Sequence, residues 1–77
     1  MDQVMIRGEK LRADAMRTTG ETPKDTAYWE GYRVGLVGIS QHHAAFQASV
    51  GSPDLVRDAR GRGYRDARLW IEGRSNG

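Results

Sequence analysis

Apolar positions along this chain recur every three or four residues, the period of an α-helix and not of a strand. Two punctuation points interrupt the pattern, Thr18-Thr19-Gly20-Glu21-Thr22-Pro23 and Gly51-Ser52-Pro53. Each ends in a hydroxyl residue followed by proline. A hydroxyl oxygen caps free N–H groups at a helix start, and proline suits the first helical position because its missing N–H needs no partner. Asp25 stands three residues after Thr22, the spacing of a capping box, and Asp54 falls in a first turn, where the macrodipole favours an acid. The pattern predicts three helices, at about 2–18, 23–49 and 53–73. That is an all-α protein with one domain over residues 1–77 and a long central helix packed against an amphipathic C-terminal helix.

The first predicted helix carries a thin stripe of Val4, Met5, Leu11, Ala15 and Met16, and is expected to pack peripherally on the other two. The central helix places Tyr28, Tyr32, Gly35, Ile39, Phe46 and Val50 on one face, with a break at Gly38–Ser40 as the alternative to one continuous helix. Trp29, Val34 and Val37 point away from that stripe. A helix apolar on more than one side is buried on more than one side. The first helix covers this second side, or a second copy does so in a homodimer. Together with Arg33 these residues form a candidate protein interface, because aromatic anchors dominate interfaces. The last helix places Leu55, Val56, Ala59, Gly63, Ala67 and Trp70 on one face. Arg57, Arg60, Arg65 and Arg68 lie opposite, with Tyr64 on the flank.

An internal echo runs through the last two helices. Ala27-x3-Gly31-Tyr32-Arg33-x-Gly35 recurs as Ala59-x3-Gly63-Tyr64-Arg65-x-Ala67, 32 residues later. Glycine inside a helix costs about 1 kcal/mol against alanine, so its repeated use asks for a packing reason. Small residues four apart let two helix backbones approach closely. The helices are therefore expected to cross at Gly31, Gly35, Ala59, Gly63 and Ala67.

The run Glu30-Gly31-Tyr32-Arg33-Val34-Gly35-Leu36-Val37-Gly38 resembles the glycine-punctuated first helix of the ribosome modulation factor family and its CrpP-like relatives. Arg62-Gly63-Tyr64-Arg65-Asp66-Ala67 is similar to that family's second helix, and the likeness spans about residues 27–70. Where the family carries a Pro-Tyr element, this chain has Ser52-Pro53-Asp54. The resemblance implies a regulatory binder of the small ribosomal subunit that acts on ribosomal RNA. By position, Gly31, Tyr32, Gly35, Gly63, Tyr64 and Ala67 would be packing residues, and the arginines would contact phosphates.

Composition narrows the rest. The chain has 77 residues, 38% of them hydrophobic, enough for one modest core. It has no cysteine, so disulfides and thiolate metal sites are excluded and the cytoplasm is the expected compartment. No apolar run approaches the roughly 20 residues of a membrane span, and Met1-Asp2-Gln3 does not open a signal peptide. Twelve basic against ten acidic residues leave a net charge of +2, yet six arginines, including Arg62 and Arg74, fall within the last 21 residues. The basic excess is local.

Candidate chemistry is sparse. His42 and His43 are neighbours whose side chains point about 100° apart on a helix, and a zinc site wants three or four ligands. Ser40 lies near His42 with no acid to orient that ring, and Ser52 reads as a cap. There is no phosphate-binding glycine loop. The expectation is therefore no enzyme, no metal and no cofactor. Two functions compete. One is RNA or ribosome binding through Arg57, Arg60, Tyr64, Arg65 and Arg68, where guanidinium forks match phosphates and an aromatic can stack on bases. The other is a protein-binding inhibitor or adaptor, of the phage or mobile-element kind, that blocks a larger protein through Trp29, Arg33, Val34 and Val37.

Overall fold

The computed structural model describes residues 3–37 and 43–76, and the side chains of 3–37 and 45–73. It contains α1 (Gln3–Thr19), α2 (Pro23–Val37), α3 (His43–Ser49) and α4 (Leu55–Asn76). No strand occurs among the described residues, so the all-α expectation holds. Among the described residues, four helices stand where three were expected. The central helix predicted over 23–49 is two helices; Gly38, Ile39 and Ser40, the alternative break point, lie outside the described residues. The difference is tertiary: α2 packs on α4 at Gly31 and Gly35, whereas α3 packs separately on α4 at Gly61.

Local chemistry sets the helix starts. Thr22 Oγ1 accepts the N–H of Asp25 at 3.2 Å and caps α2, which opens on Pro23. The start of α4 differs from expectation. Asp54 Oδ1, not Ser52, accepts the N–H groups of Val56 and Arg57, at 3.0 and 3.3 Å. Ser52 Oγ accepts the N–H of Asp54 instead, at 3.2 Å. A carboxylate placed two residues later outcompetes the hydroxyl, because it accepts two N–H bonds and also meets the helix dipole. Leu55 is thereby left at the entrance, 60% exposed, and not on the buried face. Gly51, with φ +84°, turns the chain between α3 and α4 in the left-handed region that suits glycine.

The main contact is α2 on α4; α1 packs on α2, and α3 on α4. The crossing is backbone to backbone. A Cβ on Gly31 would collide with the carbonyl of Arg60, and one on Gly63 with the carbonyl of Tyr28. A Cβ on Gly35 would come within 2.7 Å of the Ala67 Cβ and of the Tyr64 carbonyl. Residues 28 and 60 are 32 apart, as are 31 and 63, so the first two contacts exchange when the two echoed segments are swapped. The echo is a seam with a two-fold-like pattern of contacts. Ala27, Ala59 and Ala67 are buried along it.

Each seam tyrosine has its own cover. Tyr32 lies under α1, where its hydroxyl donates to Glu9 Oε2 at 2.8 Å. Burial and this acidic acceptor push the Tyr32 hydroxyl up to about 12. Tyr64 lies under α3, stacked on Phe46 at 5.0 Å between ring centres and 17° between planes. Phe46 was expected on one stripe with Tyr28 and Tyr32; it belongs to α3 and serves α4. The orientation of α1 is also a correction. Ala13 is buried and Ile6, Glu9 and Lys10 are half-buried, while Val4, Met5, Leu11, Ala15 and Met16 are exposed. Polar contacts dock this helix: Glu9 to Tyr32, Asp14 to Arg33 at 2.8 Å, and the Arg12 guanidinium 5.4 Å from the centre of the Trp29 ring.

The seam predicts opposite outcomes for two glycines. Gly63→Ala must displace a backbone carbonyl, and overpacking of that kind costs about 1–3 kcal/mol or more. Nothing lies within 4 Å of a Cβ on Gly8, in the middle of α1, so Gly8→Ala should stabilise by about 0.5–1 kcal/mol. Denaturant unfolding followed by circular dichroism checks both; equal stability of the two variants would refute the seam.

Candidate nucleic-acid interface

The outer face of α4 follows from its seam. With Ala59, Gly63 and Ala67 turned inward, Arg57, Arg62 and Arg65 are exposed and Arg60 and Arg68 half-buried at the edges. Arg62 Nε donates to Asp58 Oδ2 at 2.9 Å. Arg60 pairs with Glu30 of α2 at 3.6 Å, and Arg65 approaches Asp66 at 3.8 Å. Arg68 donates to the carbonyl of Gly35 at 3.3 Å, across the seam. Arg57 makes no ion pair among the described residues. The carboxylate of Asp66 also accepts the Tyr28 hydroxyl at 2.6 Å. Burial and this bond raise the Tyr28 hydroxyl well above its ordinary value.

Beside this face lies an open groove of about 180 Å³ between α3 and α4, lined by Ala45, Phe46, Ser49, Arg57 and Arg60. Its wall is held tightly. A Cβ on Gly61 would meet the Phe46 carbonyl at 2.7 Å and the Ser49 Cβ at 2.9 Å, so α3 rests directly on the α4 backbone. Asp58 reinforces the joint, accepting the N–H of Gly51 at 2.5 Å as well as Arg62. Those two donors hold the Asp58 carboxyl below its ordinary value.

The expected site residues sort as follows. Arg57, Arg60, Arg65 and Arg68 share the outer side of α4. Tyr64 does not join them: it is 2% exposed, a core ring and not a platform for bases. The reason is α3, whose Phe46 closes over it. Trp29 is half-buried, packed at 5.1 and 5.3 Å on Tyr28 and Tyr32, and Arg33 is paired with Asp14, so α1 occupies much of the expected protein interface. Val34 is half-buried, and Val37, 46% exposed, stays open at the end of α2. Gly31, Gly35, Ala59, Gly63 and Ala67 are all buried at the crossing. His42, Ser40 and the side chains of His43 and Arg74 lie outside the described residues.

Sequence reasoning missed Phe46, Ala45 and Ser49 as groove residues. The echo held the signal: a tyrosine equivalent to Tyr32 also needs a cover, and Phe46 is the aromatic preceding it. No group of three metal-ligating side chains gathers among the described residues, and none of the described helices is long and apolar enough to cross a membrane. Comparison with protein-family models, curated proteins and solved structures returns no match. The fold defines the class: a small all-α protein built on a glycine-seamed helix pair.

The Asp58 joint carries a pH prediction. A carboxyl held low in the folded protein adds stability that is present above its ordinary value of 3.8 and is lost as pH falls through the lower folded value. Asp58→Asn should therefore melt earlier than the parent at neutral pH. The gap should close as pH drops below 3.8. A gap independent of pH would separate the joint from the charge of Asp58.

Proposed function

We propose that this protein is a small non-enzymatic regulatory binder that contacts RNA through the outer face of α4, with ribosomal RNA the target suggested by its resemblance to the ribosome modulation factor family. The observation that carries the reading is the row of Arg57, Arg60, Arg65 and Arg68 along one side of a helix whose other side is locked into the seam. Exposed ion pairs such as Arg60–Glu30 and Arg65–Asp66 are commonly worth under about 1 kcal/mol, so they yield to a phosphate. Guanidinium forks then bind phosphate oxygens in pairs. Release of condensed counterions supplies the driving force, and makes the affinity fall with salt.

Titration of a labelled ribosomal RNA fragment over a series of salt concentrations tests this. The logarithm of affinity should fall linearly with the logarithm of salt, and Arg57→Ala with Arg65→Ala should flatten the slope by roughly one unit per arginine. An RNA that fails to bind at low salt, or an unchanged slope, rejects the reading.

A second reading has its own observation. Leu11 is 66% exposed, and Met5 and Met16 are also exposed, on a helix that docks by polar contacts. Flexible methionine-bearing surfaces suit protein partners. On this reading the chain is an adaptor or inhibitor docking on a larger protein through α1, or a homodimer through the same helix. Leu11→Glu should abolish such a complex and leave the melting temperature within a few degrees of the parent, because the position is exposed. Light scattering and co-purification read the outcome; an unaffected complex removes α1 from the interface.

A further inference from the structure

We propose that the groove between α3 and α4 is a subsite for one unstacked nucleotide of single-stranded RNA, its base laid against Phe46 and its phosphate held by Arg57 and Arg60. The proposal rests on the RNA-binding reading above and names the form of RNA that this surface takes.

Size comes first. Pockets for whole small molecules run to about 300–1,000 Å³. This groove, at about 180 Å³ and open to solvent, accepts a single base or side chain of something larger. Chemistry comes next. Arg57 and Arg60 line it, and no carboxylate lines it among the described residues. Arg57 has no ion pair among the described residues, and Arg60 holds only the long contact to Glu30, at 3.6 Å. The Ser49 hydroxyl donates to the Ala45 carbonyl at 3.0 Å, which leaves the wall between the arginines and the ring largely apolar. A flat apolar group bearing an adjacent anion satisfies both halves of the groove.

The ring is set for stacking. Phe46 lies nearly parallel on Tyr64, and Tyr64 is fixed in the core. A base entering the groove would meet Phe46, whose ring is backed by the immobile Tyr64. Such platforms tolerate any base, because every base has a π-face. The contact of α3 on Gly61 and the tie from Asp58 to Gly51 hold the platform in place before any ligand arrives. An acidic peptide with one aromatic residue offers similar local chemistry. The arginine row favours RNA, because Arg65 and Arg68 continue the cationic line beyond the groove for a further two turns of α4, matching a repeating polyanion. Duplex RNA keeps its bases stacked inside, so only a single strand, loop or bulge can present one here.

Fluorescence anisotropy decides it, with a labelled single-stranded oligoribonucleotide, a duplex RNA of the same length and a short acidic peptide containing tryptophan. Ala45→Trp fills the groove from an exposed position of α3, and circular dichroism confirms that the variant stays folded. The parent should prefer the single strand. Ala45→Trp should weaken single-strand binding by roughly tenfold and leave duplex binding unchanged, the loss expected for one stacked base. Equal binding of the single strand by parent and variant overturns the subsite and leaves the arginine-face reading standing. No RNA binding by the parent removes both. Peptide binding that Ala45→Trp abolishes, without single-strand binding, reassigns the groove to a protein ligand and overturns the proposal.

Discussion

The fold depends on a contact that admits no side chain: the carbonyl of Arg60 lies over Gly31, and the carbonyl of Tyr28 lies over Gly63. Close packing of main chain on main chain multiplies dispersion contacts that are each very small. It lets a short chain make a core from little material. Among the described residues, four of the seven buried hydrophobic ones are alanines (Ala13, Ala27, Ala59 and Ala67), and Tyr32, Leu36 and Tyr64 are the large ones. A conventional core of leucines would hold the helices further apart. Here, distance is the stabilising variable, and the glycines set it.

The seam also dictates what must be added. A tyrosine follows Gly31 and another follows Gly63, and neither ring can be left in water. α1 covers Tyr32 with an acid, and α3 covers Tyr64 with a phenylalanine. These different solutions to one problem break the likeness between the halves. The polar solution leaves α1 with Val4, Met5, Leu11 and Met16 outward. The aromatic solution leaves α3 with a groove beside two arginines. Both candidate contact surfaces are thus by-products of how a tyrosine is covered.

Much of this is legible in the amino-acid sequence. Glycine is costly inside a helix, so its recurrence at Gly31, Gly35 and Gly63 carries information, and the echo locates the crossing. Thr22 caps α2 as its position foretells. What the sequence hides is decided by tertiary partners. Periodicity tells which face of α1 is apolar; it does not tell that Glu9 and Asp14 find Tyr32 and Arg33, contacts between segments that leave no periodic trace. It runs through Gly38 without interruption, and cannot register that residues 43–49 form a helix that packs on α4 at Gly61. Tyr64 sits on the flank of α4, where burial is settled by Phe46 on another helix.

The mild net charge is the main objection to an RNA surface, and the fold shows how the acids on that side are used. Asp54 caps α4, Asp58 holds the end of α3 at Gly51, and Asp66 receives the Tyr28 hydroxyl. Each of these acids has a structural bond that fixes where its charge sits. The arginines have long side chains that reach outward from such fixed points and can exchange partners. A face of three acids and five arginines is then more unequal than its count: the negative charge is held against the fold, and the arginine side chains can exchange partners for a ligand. Counting residues hides that asymmetry, and the geometry of Asp54, Asp58 and Asp66 restores it.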